Sequence, residues 1–206
     1  MYIKHTDLYE NHTLFSDPEL KIMEIFLDLK RHYFAEMAKK SELTRPRTLR
    51  ALRKLERLGV LSTKIEANIK YYSLNNIPKV QVILSLVEYN KAEKFLDKNR
   101  NLNRGLDMLK EKFNQNLIIV IFGSSVEGYA IRSSDIDILL IKEQFSKSEM
   151  KKIEDVIDII NGRTGLKLSH HLMNLDEFKK NELSQEIIED HILIEGGELF
   201  FKNILE

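Results

Sequence analysis

No stretch restricts this chain more than Leu117 to Ile141, which reads LIIVIFGSSVEGYAIRSSDIDILLI. Its two ends, Leu117 to Phe122 and Ile138 to Ile141, have the length and β-branched content of buried strands. Gly123-Ser124 stand where the first run ends, and Asp135 and Asp137 stand two apart at the head of the second. A strand that begins at Ser134 turns both carboxylates to one face. Two carboxylates that close repel each other unless a cation lies between them. Hard oxygen ligands of this kind suit Mg²⁺, which takes one or two carboxylates together with substrate phosphates. Backbone N–H groups and a Ser hydroxyl at a strand end can hold phosphate oxygens. The two features side by side describe a site for phosphoryl transfer.

Gly123-Ser124, ten residues, then Asp135-Ile136-Asp137 closely resembles the GS-x10-DxD signature of the nucleotidyltransferase superfamily related to DNA polymerase β, and within it the minimal prokaryotic members. Gly128, Ser134 and both flanking apolar runs agree with it. The resemblance covers roughly residues 100 to 206. It implies that Gly123 and Ser124 hold a nucleoside triphosphate, that Asp135 and Asp137 bind Mg²⁺ (two ions possible), and that Arg132, Ser133 and Ser134 touch phosphates. Active relatives carry a third carboxylate on the next strand. Here that segment, LKLSHHLMN, has no acid, and the position falls near Ser169 or His170. His170 is the candidate base, although imidazole is a poor Mg²⁺ ligand. The other reading leaves His170 and His171 as strand residues without chemical role.

Length and composition bound the rest. A chain of 206 residues with 43% hydrophobic content can build two small domains. The absence of Cys excludes disulfides and Cys-based zinc sites. The N-terminus lacks an apolar signal core, and no apolar run reaches the length of a membrane span, so a soluble cytoplasmic protein is expected. Net charge is zero but unevenly placed: residues 1–78 carry +4 and the remainder −4. The basic excess points weakly to an acidic partner.

In the first part, Ser16-Asp17-Pro18-Glu19 starts a helix whose apolar residues are Leu20, Met23, Phe26 and Leu27. A short helix fits His32 to Lys39. Thr44 caps a third, ending at Gly59, with Leu49, Leu52, Leu55 and Leu58 as its inner stripe. Leu61 to Ile65 and Ile69 to Leu74 read as a hairpin. This order resembles the winged helix-turn-helix family. It implies double-stranded DNA as partner, with Arg45, Arg47, Arg50, Arg53 and Lys54 on the recognition helix and Lys64 and Lys70 on the wing. Glu66 at the wing tip counts against it, and a protein-contacting module is the alternative.

Two helical stripes follow: Val82, Ile83, Leu86, Val87 and Phe95, then Leu102, Leu106, Leu109 and Phe113. They serve either packing between domains or a homodimer interface. After the aspartates come a helix over Ser146 to Ile160 with Met150, Ile153, Ile157 and Ile160 on one face, a strand over Leu166 to Met173, and a helix capped by Asn174 with Glu177 in the reciprocal position. A helix over Gln185 to Ile192 is followed by a turn and an apolar tail, Leu199-Phe200-Phe201.

The expected fold is therefore α+β: a winged helix-turn-helix over residues 1–77, a helical connector over 78–115, and a nucleotidyltransferase-fold mixed sheet with flanking helices over 116–206. The resemblance implies transfer of a nucleoside monophosphate from an NTP to a hydroxyl. Relatives with this spacing are antitoxins that adenylylate a tyrosine of a HEPN-type toxin, which makes a protein acceptor the expected partner. The alternative is a DNA-binding transcriptional regulator whose degenerate transferase domain only senses nucleotide.

Overall fold

The computed structural model describes residues 15–113, 117–126 and 135–205. Its secondary structure is mixed α+β, in two compact units. One runs up to Phe26 and continues over Lys30–Asn75, and the other takes Leu27–Leu29 and the chain from Asn76 onward.

The first unit begins with α1 (Asp17–Ile25). A capping box starts it: Glu19 accepts from the Ser16 N–H at 2.7 Å and from the Ser16 hydroxyl at 2.5 Å. Next come β1 (His32–Tyr33), α2 (Phe34–Lys40) and α3 (Arg45–Arg57). The hairpin β2 (Leu61–Glu66) and β3 (Ile69–Leu74) closes the unit. The three strands form one antiparallel sheet in the order β1-β3-β2. The helix expected from His32 thus begins two residues later, because His32 and Tyr33 pair with Tyr72 and Tyr71. The inner stripe of α3 is also rotated from expectation: Thr48, Ala51, Leu52 and Leu55 are buried, whereas Leu49 and Leu58 are only half-buried. Ile22, Met23, Phe26, Met37, Val60 and Tyr72 complete this core.

Lys54 of α3 donates to the buried Glu19 of α1 at 3.0 Å. Burial pushes the Glu19 carboxyl up, but the Ser16 hydrogen bonds and the Lys54 ammonium together outweigh it and hold the pKa below the ordinary carboxylate range.

In the second unit, β4 (Ile118–Phe122) pairs antiparallel with β5 (Ile136–Lys142), and β6 (Leu168–Asn174) lies parallel to β5. The sheet order is β6-β5-β4-β7, the last strand being Ile192–Glu195. That strand replaces the end of the helix expected to reach Ile192, since α8 (Glu182–Glu189) stops short. A short apolar run fits either period, and here the open edge of β4 decides it. The apolar tail is α9 (Gly197–Ile204), entered through Gly196 at φ 80°. A Cβ on Gly196 would lie 2.8 Å from the Leu117 carbonyl oxygen.

The helices α4 (Pro78–Lys98) and α5 (Arg100–Lys112), read from sequence as a connector, pack within this unit: α4 on β7 and α9, α5 on α6 (Lys147–Thr164). At the α5–α6 crossing a Cβ on Gly105 would come within 2.6 Å of Ile160, so only glycine allows the approach. The expected stripe of α4 is corrected, with Val82 and Leu86 exposed and Val80, Ile83, Leu84 and Val87 buried. Likewise α6 runs past Asn161-Gly162 to a left-handed Gly165, and Met150 stays outside the core formed by Ile153, Val156, Ile157 and Ile160. Asn174 precedes α7 (Leu175–Lys180) without a side-chain cap bond. Among the described residues no helix is long and apolar enough to cross a membrane.

A buried polar group ties α4 to β7. Glu88 accepts from the Leu193 N–H at 3.0 Å, and its other oxygen lies 3.5 Å from the Lys91 ammonium and 3.6 Å from His191 Nε2. Lys91 in turn donates to the His191 carbonyl. Burial lowers the His191 pKa, and the Glu88 carboxylate opposes that shift.

Two outcomes follow from these buried charges. Glu88→Ala, which leaves the Leu193 N–H without its acceptor and the Lys91 ammonium without its counter-charge, is expected to cost about 3–5 kcal/mol in urea unfolding. The depressed Glu19 pKa contributes stability that is present above the unfolded carboxylate value, about pH 4.3, and is lost as pH falls through the lower folded value. Lys54→Ala should narrow that acid loss and cost about 1.5 kcal/mol at neutral pH, the low end for a charged hydrogen bond because the Lys54 side chain is a third exposed.

Candidate functional site

The site is built where β4 ends against the head of β5. Their register sets Phe122 opposite Asp137, so the chain leaves the sheet at Gly123, next to that carboxylate. Gly123–Ser125 form a single 3-10 turn with Gly123 at φ 72°. A Cβ on Gly123 would stand 3.1 Å from Asp137 Oδ2, so the Asp137 carboxylate fills the space beside the bare backbone. Gly123 and Ser124 are exposed. Ser125 and Val126 are buried and anchor the turn, Val126 in the apolar core and Ser125 by donating to the Asp135 carbonyl at 3.3 Å. The turn therefore presents one backbone segment and one hydroxyl to solvent beside a carboxylate.

Asp135 lies one residue ahead of β5, where the sequence argument began the strand at Ser134. The Ile136 N–H donates to the Lys167 carbonyl at 2.8 Å, which carries the ladder back toward Asp135. Alternation along the strand then turns Asp135 and Asp137 to one face. In the parallel pair β5–β6, Asp137 is level with Ser169, Ile138 with His170 and Leu139 with His171. Registered neighbours share a face. Ser169 and His171 thus lie on the Asp137 side, and His170 on the opposite side with Ile138 of the apolar core. The expected base His170 is therefore misplaced by one residue: a period of two sends adjacent histidines to opposite faces.

His171 is exposed, and its ring meets the edge of Phe122 with 5.6 Å between centroids. Phe122 and His171 belong to the strands on either side of β5, so this contact crosses the β5 surface. At the rim, the Lys167 ammonium lies 3.0 Å from Asp135 Oδ1 and 3.4 Å from Oδ2. Among the described residues the face and its rim thus carry two carboxylates, one ammonium, the Ser169 hydroxyl and one imidazole, with the Ser124 hydroxyl on the adjoining turn. Among the described residues no group of three or more His, Asp or Glu gathers as a metal cluster. The carboxylate pair itself is a hard-oxygen donor set, half-exposed and open to a divalent ion. Arg132, Ser133, Ser134 and Gly128 lie outside the described residues. Sequence reasoning missed Lys167 and His171. Counting by twos from the aspartates could have found them only with the β5–β6 register in hand.

In the first unit, Arg45, Arg47, Arg50, Arg53 and Arg57 are exposed on α3. Among the described residues, Arg47, Arg50 and Arg53 have no carboxylate within ion-pair distance, and Arg45 lies over the Phe34 ring at 5.2 Å. Three expected phosphate ligands are instead engaged inside the unit. Lys54 holds Glu19, Lys70 holds Glu56 at 2.8 Å, and Lys64 holds Glu66 at 2.8 Å. Glu66 also takes Arg31 at 2.6 Å, and the hydrogen bonds from Lys64 and Arg31 lower its pKa. The acidic end of β2 is thereby neutralised by two local cations.

Comparison with known proteins bears on the second unit. The sequence profile of the polymerase beta nucleotidyltransferase family matches residues 107–198. A relative from Methanocaldococcus jannaschii, named "Putative protein adenylyltransferase", is 32% identical over 115 residues, 52% of this chain and 78% of its own length. Among solved structures, TrmBL2, an archaeal chromatin protein described as showing a novel mode of DNA binding, aligns over 81% of this chain and 69% of its own at 20% identity. Its TM-score of 0.31 is too low to bear on fold or ligand. With the Gly-Ser turn seated on the second aspartate, a family match over that segment, and 32% identity across most of a relative's length, this chain belongs to the polymerase beta nucleotidyltransferase family.

Proposed function

We propose that the second unit transfers a nucleoside monophosphate from an NTP to a hydroxyl group of a protein. The observation that carries this reading is the seating of the Asp137 carboxylate against the bare backbone of Gly123. This contact supports the reading because it puts a turn able to hold phosphate and a carboxylate able to hold a cation at one point, as a triphosphate and its ion would require. The relative's name supports a protein as acceptor.

In this reading Gly123 N–H and the Ser124 hydroxyl bind the triphosphate, and Asp135 and Asp137 hold Mg²⁺. The ion, when bound, supplies charge neutralisation for the phosphates. The acceptor oxygen forms a bond to the α-phosphorus. The bond from that phosphorus to the oxygen bridging the β-phosphate breaks, and pyrophosphate leaves with the electron pair. The hydroxyl proton goes to a base, for which His171 is the imidazole on the Asp137 face. Such help is worth roughly 10²–10⁴-fold. The Phe122 ring meets that exposed imidazole at its edge.

The first unit is proposed to bind double-stranded DNA as a winged helix. Its phosphate contacts come from Arg47, Arg50 and Arg53, which have no carboxylate partner among the described residues, rather than from the engaged Lys54, Lys64 and Lys70. One observation favours a second reading, a DNA-binding regulator that only senses nucleotide: Ser169, level with Asp137, offers no carboxylate to activate an acceptor.

Purified protein mixed in turn with each NTP should bind one of them in a Mg²⁺-dependent way by calorimetry. Asp135→Asn with Asp137→Asn should remove the Mg²⁺ dependence without unfolding the chain, and equal affinity in wild type and double mutant would end the transferase reading. Labelled NTP incubated with cell extract separates the two readings, since label on a protein supports the enzyme and binding without label supports the sensor. For DNA, Arg50→Ala and Arg53→Ala should each reduce the salt slope of duplex binding by about 0.9, whereas Lys64→Ala should leave it unchanged. A gel shift at low salt without any retarded duplex would refute DNA binding.

A further inference from the structure

The face that carries Asp135 and Asp137 has an ammonium at its rim and, among the described residues, no third carboxylate. Lys167 precedes β6 and lies beside Asp135, as Ser169 lies beside Asp137 and His171 beside Leu139. None of these three β6-side residues is an acid, and the Lys167 ammonium sits 3.0 Å from Asp135 Oδ1. We propose that Lys167 takes the place of the second divalent cation, so that the site binds an NTP with one metal ion per chain. The inference rests on the nucleotidyltransferase reading of the site.

Charge and ligand counting support it. Two divalent ions held about 3.5–4 Å apart repel each other and are tolerated where several carboxylates bridge and flank them. Here two carboxylates carry a charge of −2, and Lys167 already offsets half of it. A first Mg²⁺, sharing its ligands with the triphosphate, takes the two carboxylates and Lys167 past neutrality, and the charge still unmatched then lies on the triphosphate rather than on the protein. A second ion would have to displace the ammonium from Asp135 and would find only a Ser hydroxyl and an imidazole on β6, both poor ligands for a hard cation. Lys167 is well suited to the exchange of roles. Its side chain is 80% exposed, so it loses little solvation by being drawn to Asp135. An ammonium, unlike a metal ion, cannot bring a bound water or hydroxyl into its coordination sphere as an activated nucleophile. Lys167 is therefore a positioning residue.

Electron paramagnetic resonance of Mn²⁺, read as bound ions per chain, tests this directly. The titration uses the intact protein, first with Mn²⁺ alone and then with the α,β-methylene analogues of ATP, GTP, CTP and UTP, which bind without being turned over. Wild type should saturate at one Mn²⁺ per chain with whichever analogue binds. Lys167→Ala should bind Mn²⁺ alone about fivefold more tightly, because the competing ammonium has gone. Lys167→Glu, which adds a carboxylate beside Asp135, should raise the count to two. Because Lys167 is a surface side chain, neither variant endangers the fold, and circular dichroism checks that. Two Mn²⁺ per wild-type chain, or an unchanged Mn²⁺ affinity in Lys167→Ala, overturns the proposal and leaves the transferase reading standing. No Mn²⁺ bound by wild type under any of these conditions overturns both.

Discussion

The antiparallel pairing of β4 with β5 is the constraint on which the rest of the second unit depends. It sets Phe122 against Asp137, and the residue after Phe122 must then turn away at once beside a carboxylate. Glycine suits that point because its φ of 72° lies in the left-handed region; a Cβ there would also stand 3.1 Å from Asp137 Oδ2, so that the carboxylate would have to shift slightly. Everything else in the site is arranged around this contact: the exposed Ser124, the buried Ser125 that holds the Asp135 carbonyl, and the aspartates themselves. The sheet has the stiffness to keep them there. Ile118, Ile119, Val120 and Ile121 of β4 and Ile136, Ile138, Leu139, Leu140 and Ile141 of β5 are buried, and α5 and α6 pack over one side.

The charges of the two units follow one logic: acids that a neighbouring cation can reach are matched inside the fold, and the groups left over face solvent. In the first unit Glu19, Glu56 and Glu66 each take a lysine that sequence reasoning had assigned to DNA. What remains is a line of arginines on α3 without carboxylate partners among the described residues. In the second unit one Glu88 oxygen accepts from the Leu193 N–H, which fastens α4 to the edge strand β7, while the other has the Lys91 charge at 3.5 Å but no hydrogen bond. Asp135 takes Lys167, while Asp137 faces a Gly backbone, a Ser hydroxyl level with it on β6, and open solvent. Among the described residues Asp137 thus has no cation within ion-pair distance.

Much was legible in the chain alone. The two apolar runs, the Gly-Ser step, the aspartates two apart, the Ser16 and Ser146 helix starts and the hairpin over Leu61 to Leu74 all appear where local pattern puts them. These features depend on residues close in sequence, so periodicity, capping and turn chemistry suffice to find them. The short strand β1, the edge strand β7 and the helix α9 were not legible. Each is brief, and each owes its form to a partner far along the chain: β1 to Tyr71 and Tyr72, β7 to the open edge of β4, α9 to α4.

The same division runs through the site. The sequence by itself determined that a Gly-Ser turn at a strand end and a carboxylate pair exist, since both are local patterns of a few residues. Which side chains of β6 face them was decided only by the parallel register of β5 and β6, and a parallel crossover leaves no mark of its register in the sequence. A shift of one residue would have set His170 beside the aspartates and turned Lys167 and His171 away. The register observed does the reverse, and so gives the face an ammonium against Asp135, a hydroxyl level with Asp137, and an imidazole in contact with Phe122.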